Sequence, residues 1–389
     1  MTQTSIIVTL LSFLLVSRPV LGTEHSAVTV DCEHPTDKWS TFVCNNEEPG
    51  SEPPLIQEMC HSKYTLTGKK KVEGLIVAFQ GYSPCPDSFD GMAEAWLEAG
   101  YHVLVPLLVG HGMAPGDCAV NNSTRFQDIT YCAGNDRIDR LPLTSEGYVE
   151  WVNTINDIVK EEVQKRDIKH VYASGLSHGG PLASYAVITG GGMYSKMLLF
   201  NAFFGISSSN ADKIFNVCLE QDLSSGDCLA LIAAGDESFA AGLQLATGST
   251  AVQLPEDYDE NSYAGLNVAT RIALSNVGEN FGYLDEGAFK SFVDQEVVSR
   301  GESCVKQGEN GRGGICSFRL RNLFAVHAFS QLALRELGSA SSIPCQTQFV
   351  ATERDGTIAN SLSVQAAQSF QRQGSDTSFC MYRAIPECM

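Results

Sequence analysis

The chain has 389 residues, 43% hydrophobic and 18% charged, which excludes wholesale disorder and suits one large domain with an insertion, or two domains. A formal charge of −19 disfavours nucleic acid and anionic membrane surfaces as partners, since both need a basic face. The first element, Ile6 to Val16, is an apolar run of about 11 residues, too short for a bilayer that needs roughly 20. Followed by Val20-Leu21-Gly22, it reads as a secretory signal over residues 1–22, although no Lys or Arg precedes it. No integral membrane span is expected.

Residues 23–70 read as an N-terminal extension tied on by disulfides. The chain has thirteen cysteines, and in a secreted protein most are paired, with at least one left over. The spacings Cys32/Cys44, Cys218/Cys228 and Cys304/Cys316 suggest local loops, but spacing does not fix connectivity. The stretch Val120 to Arg125 carries overlapping N-glycosylation triplets at Asn121 and Asn122, which fit the same compartment.

From Gly74 the chain becomes regular. Gly74–Phe79 is a continuous apolar run, as in a strand buried on both faces. A helix over 88–99 stops at Gly100, and His102–Leu108 is a second buried strand. Residues 144–166 predict a long helix with Tyr148, Val152, Ile155 and Val159 on one face. His170–Ser174 is a third strand, 182–189 a helix and Lys196–Phe200 a fourth strand. The rhythm breaks over 205–318, read as an insertion between two strands. It resumes with a helix over 319–337, a strand over 347–352, a helix over 361–372 with Asn360 as N-cap, and a last strand over 378–385. Alternating strands and helices imply an α/β protein with a mostly parallel sheet covered on both faces. The units expected are 71–204 and 319–389 as two parts of one core, with 205–318 inserted between them.

The third strand runs into Gly175-Leu176-Ser177-His178-Gly179-Gly180. Gly-x-Ser-x-Gly alone is weak, since roughly 0.3 matches arise by chance in such a chain. Its context, the end of a buried strand and the start of a helix, is what a nucleophile elbow requires. Gly175 and Gly179 would remove clashing Cβ atoms, and Ser177 would stand clear of the sheet. The alternative is a tight turn with an ordinary serine. An elbow also needs an oxyanion hole: the N–H of His178 is one donor, and the N–H of Tyr82, beside Gly81 in the loop after the first buried strand, is the other.

With these pieces in view, residues from about 72 onward resemble the monoacylglycerol lipase and serine aminopeptidase branch of the α/β-hydrolase superfamily. The resemblance rests on Gln80-Gly81-Tyr82, on Gly110-His111-Gly112 after a strand and a proline, and on the elbow. Gln80 departs from the histidine usual there. The resemblance implies an α/β-hydrolase fold with a variable cap over 205–318 and no cofactor or metal. It implies a small-molecule or lipid ester substrate, and a structural part for the Gly110, His111, Gly112 turn. It also implies an acid after the penultimate strand, where Asp355 stands, followed by Gly356, and a basic histidine after the last strand. No histidine follows His327. Three explanations stay open: a sequence that stops short of the base, a substitute base such as His111, or a relative that binds an acyl ligand without cleaving it. His178 is expected to give only its N–H, and His327 to pack in its helix. An aminopeptidase fits the same elbow, but the carboxylates Glu256, Asp257, Asp259 and Glu260 read more simply as a solvated acidic loop. The oligomeric state is not legible.

Overall fold

The computed structural model describes residues 24–47, 56, 60–82, 84–112, 119–122, 130–133, 141–205, 297–299, 317–352, 358 and 360–382. Its centre is β3 (Gly74–Phe79), all six residues of which are buried. On one side of β3 lies β4 (Tyr101–Val105), on the other β7 (Val171–Leu176), then β8 (Tyr194–Phe200), β11 (Gln346–Thr352) and β12 (Thr377–Tyr382), all parallel. Beyond β4 the sheet continues antiparallel through β2 (Lys63–Leu66) to β1 (Ser26–Ala27), giving eight strands. Each parallel neighbour is reached by a helical crossover, as a buried apolar strand with no turn partner demands.

One face is covered by four helices: α3 (Ser145–Arg166), α4 (Gly179–Thr189), α5 (Leu320–Ser339) and α6 (Asn360–Arg372). The predicted stripe on α3 holds, with Tyr148, Val152, Ile155 and Val159 all fully buried. They pack with Leu75, Val77 and Phe79 of β3 in one core. Burying each such side chain is worth about 1.5–3 kcal/mol. The other face carries α2 (Asp90–Glu98) over Ala78, Val103 and Val105. The α2 helix ends at Glu98 with Ala99 as its C-cap, and Gly100 (φ +95°) donates back to Leu97 O, the left-handed stop foreseen for it.

The structure adds three features to these expectations. The described part of residues 23–70, read as an extension, supplies β1, β2 and α1 (Lys38–Glu47), and the two strands extend the sheet. The β2 strand has only Tyr64 buried, too faint a pattern to read as a strand. Asn360 does not cap α6 through its oxygen. That Oδ1 has no partner, while Nδ2 donates to Thr352 O at 2.8 Å. The third concerns two unforeseen antiparallel pairs, β5 (Ala119–Asn122) with β6 (Thr130–Ala133), and β9 (Val297–Ser299) with β10 (Ser317–Arg319). Asn121 and Asn122 end β5, opposite Tyr131 and Thr130.

Of the expected disulfides, Cys32–Cys44 is formed, and Cys60–Cys85, not foreseen, joins the chain before β2 to the loop after β3. Cys218, Cys228, Cys304 and Cys316 lie outside the described residues, as do residues 1–22 and 206–296. No described helix is long and apolar enough to cross a membrane.

Candidate active site

The β7 strand ends at Leu176, α4 begins at Gly179, and Ser177 between them has φ +53°. A non-glycine residue in that left-handed region costs on the order of 1–3 kcal/mol and persists only where its surroundings hold it. Three backbone hydrogen bonds do so. The Ser177 N–H donates to Phe200 O at 2.9 Å, and its C=O accepts from the N–H of Gly180 at 2.9 Å and of Phe203 at 2.8 Å. Ser177 itself is only half-buried, while its neighbours Gly175, His178, Gly179 and Gly180 are buried.

Glycine is required here by proximity. A Cβ on Gly175 would strike the carbonyl of Gly179, one on Gly179 the carbonyls of Phe79 and Gln80, and one on Gly180 the Cβ of Ala202. The end of β3 therefore lies directly against the start of α4. A Cβ on Gly81 would come 3.3 Å from Leu176 O, so the two loops proposed to carry the oxyanion donors, at Tyr82 and His178, are in backbone contact. Gln80 is buried and its Nε2 donates to Pro84 O at 3.1 Å, closing the loop that Tyr82 belongs to.

The His178 ring turns into the interior. It meets Tyr148 edge-on at 4.9 Å between centroids, Phe329 at 5.9 Å and Tyr82 at 6.2 Å. Neither ring nitrogen has a hydrogen-bond partner, and burial, helped by neighbouring His111, holds the ring neutral with a pKa near 3. His111 is equally buried. Its Nδ1 meets Val109 O at 3.0 Å, its ring lies edge-on to Tyr82 at 5.2 Å, and burial lowers its pKa to about 4. His111 Nε2 has no partner. Neither imidazole therefore hydrogen-bonds Ser177. The turn at Gly110 (φ +72°) and Gly112 (φ +67°) is left-handed, and Gly112 sits against Cys60 of the second disulfide.

Asp355 lies outside the described residues. The strand leading to it does not, because β11 pairs with β8 up to Phe200↔Val350, beside the elbow. His327 lies on α5, and its side chain is outside what the structure describes. Sequence reasoning missed Tyr148 and Phe329 as walls of the His178 cage. Tyr148 was legible as a buried helix position, but nothing local tied it to the elbow. Among the described residues, Asp37, Glu161 and Glu162 are close enough to share an ion. Lys165 already serves them, at 2.9 Å from Asp37 and 3.4 Å from Glu162.

A parallel sheet with this strand order, a left-handed serine between a buried strand and a helix, and the β3 loop against it define the α/β-hydrolase fold. No family model and no curated protein matches the sequence. Among solved structures the chain is similar to a thermostable carboxyl esterase from Bacillus coagulans, with 12% identity over 85% of this chain and 88% of that one and a TM-score of 0.41. It is also similar to a Paleococcus ferrophilus monoacylglycerol lipase, with 12% identity over 81% and 86% and a TM-score of 0.40. A soluble variant of monoglyceride lipase from Saccharomyces cerevisiae gives 11% over 86% and 89%, with a TM-score of 0.39. The fold assignment stands on the strand order and the elbow.

Proposed function

We propose that the protein is a secreted serine hydrolase that cleaves carboxylic esters of the monoacylglycerol type through an acyl-serine. The observation that carries this is the strained, half-exposed Ser177, held at φ +53° by three backbone hydrogen bonds. Strain of that kind is kept where a side chain must project from the sheet edge. In the proposed reaction Ser177 Oγ bonds to the ester carbonyl carbon, the carbonyl oxygen takes the negative charge, and the N–H groups of Tyr82 and His178 hold it. Each such donor is worth on the order of 3 kcal/mol of barrier. Collapse breaks the ester C–O bond and releases the alcohol. Water then attacks the acyl-serine and releases the acid. Asp355 orients the base that moves the protons; the base itself is not assigned to any of the eight histidines.

Export with removal of residues 1–22 and glycosylation at Asn121 or Asn122 belong to the same proposal, supported by the two disulfides. The mass of the purified mature protein before and after deglycosylation tests both. The second reading, a binder that does not cleave, is favoured by the absence of any hydrogen bond from His111 or His178 to Ser177. Hydrolysis of monoacylglycerols by the full-length protein, abolished in Ser177→Ala, supports the enzyme. Saturable binding of a fatty acid without turnover supports the binder.

A further inference from the structure

We infer that Asn201 is a positioning residue that locks the exit of β11 to the nucleophile elbow, an inference that rests on the hydrolase reading above. Asn201 follows the last residue of β8 and has φ +42°, one of three non-glycine residues with positive φ among the described residues. Its N–H donates to Val350 O at 2.8 Å, continuing the parallel β8–β11 ladder by one bond. In a regular parallel pair the next amide, that of Thr352, would donate to the main-chain carbonyl of residue 201. The left-handed turn takes that carbonyl out of line. The Asn201 side chain replaces it: Oδ1 accepts from Thr352 N–H at 2.8 Å and from Thr352 Oγ1 at 3.4 Å.

The same turn holds the elbow. Phe200 O takes the Ser177 N–H, and the Phe203 N–H reaches Ser177 O, so residues on either side of Asn201 fix the backbone of the nucleophile. Ala202, next in line, abuts Gly180 and accepts Ser363 Oγ of α6 at 2.8 Å. On the far side of Thr352, its carbonyl accepts Asn360 Nδ2 at 2.8 Å. Thr352 is thereby gripped through both backbone groups by two asparagine side chains, and Asp355 stands three residues further along the chain. A left-handed asparagine at position 201 ties the end of β11 to the elbow in one rigid turn. Asparagine suits the position because it tolerates positive φ and carries a short acceptor.

Two properties of Asn201 separate in its variants. Asn201→Gly keeps the backbone freedom and loses the acceptor, whereas Asn201→Asp keeps an acceptor oxygen and tolerance of positive φ. The readouts are the rate of Ser177 labelling by a fluorophosphonate across pH, and hydrogen exchange at the Thr352 amide. The expected result is a loss of at least tenfold in labelling rate and at least tenfold faster Thr352 exchange in Asn201→Gly, with Asn201→Asp within about threefold of wild type in both. A purely conformational part predicts both variants close to wild type, and Asn201→Gly labelled as fast as wild type overturns the inference. So does a Thr352 amide that exchanges unprotected in the wild-type protein, a measurement that needs no variant to fold. Absence of Ser177-dependent labelling in the wild type overturns the hydrolase reading, and the positioning role falls with it.

Discussion

Replacing Gly179 by alanine puts the packing of the elbow to its hardest test. A Cβ built there lies 1.9 Å from Phe79 O and 2.8 Å from Gln80 O. Both obstacles are backbone, fixed in β3 and its exit loop, so no rotamer change relieves them. The start of α4 and the end of β3 must part by about 1 Å before the contact becomes tolerable. Overpacking of this kind costs about 3 kcal/mol, at the upper end of its usual range because neither side can yield. The same shift would separate the His178 and Tyr82 amides, and misplacement by about 1 Å costs on the order of 100-fold in rate. Thermal unfolding and ester hydrolysis measured together check this, with an expected drop in midpoint of about 4 °C. Gly191→Ala is the control: it has φ +65° but nothing within 4 Å, so only backbone strain of about 1 kcal/mol applies. A Gly179→Ala protein that unfolds and turns over like wild type refutes the reasoning.

The buried imidazoles make stability acid-sensitive. His111 and His178 are held neutral in the fold, with pKa values near 4 and 3, but titrate near 6.5 when unfolded. Their contribution is complete above pH 6.5 and is lost as pH falls towards 4, at about 1.4 kcal/mol per pH unit for each histidine. Denaturant midpoints measured from pH 7 to 4 should fall along this course, and less steeply in His178→Phe; a flat profile contradicts it. Removing the Cys60–Cys85 bridge by double alanine substitution opens a loop of 25 residues and should cost about 3.5 kcal/mol, read by unfolding in urea. A loss under about 1 kcal/mol would show that the turn at Gly112 does not depend on the bridge. Glu162 is buried, accepts Tyr64 OH at 2.8 Å and pairs with Arg166 Nε at 2.6 Å. Glu162→Ala leaves that arginine without its partner and should destabilise by about 3 kcal/mol, and Glu162→Gln by less, in the same unfolding assay.

The middle of the parallel sheet was legible because β3 and nearly all of β4 are buried on both faces. Gly74–Phe79 reads as an apolar run of strand length, His170–Ser174 as a strand running into the glycine-rich turn, and the α3 stripe repeats at helical spacing. The elbow was legible because its glycines flank Ser177 at a fixed spacing just after a strand, a local pattern that answers to the close approach of Phe79 and Ala202. What escaped the sequence depends on long-range pairing. The β2 strand is an antiparallel neighbour of β4 with one buried residue, and β1 is only two residues long, so neither leaves a periodic trace. Asn360 carried the mark of a helix cap, but its amide serves Thr352 instead, because the end of β11 lies within its reach. Asn201 with Thr352, and His178 with Phe329, join positions 151 residues apart, and no local pattern announces such contacts.

The most direct test is to react the full-length protein with a fluorophosphonate and map the adduct by tandem mass spectrometry. A single adduct on the peptide bearing Ser177, absent in Ser177→Ala and slowed in Gly179→Ala, is the predicted result. An adduct on another serine, or labelling that persists unchanged in Ser177→Ala, would contradict the account.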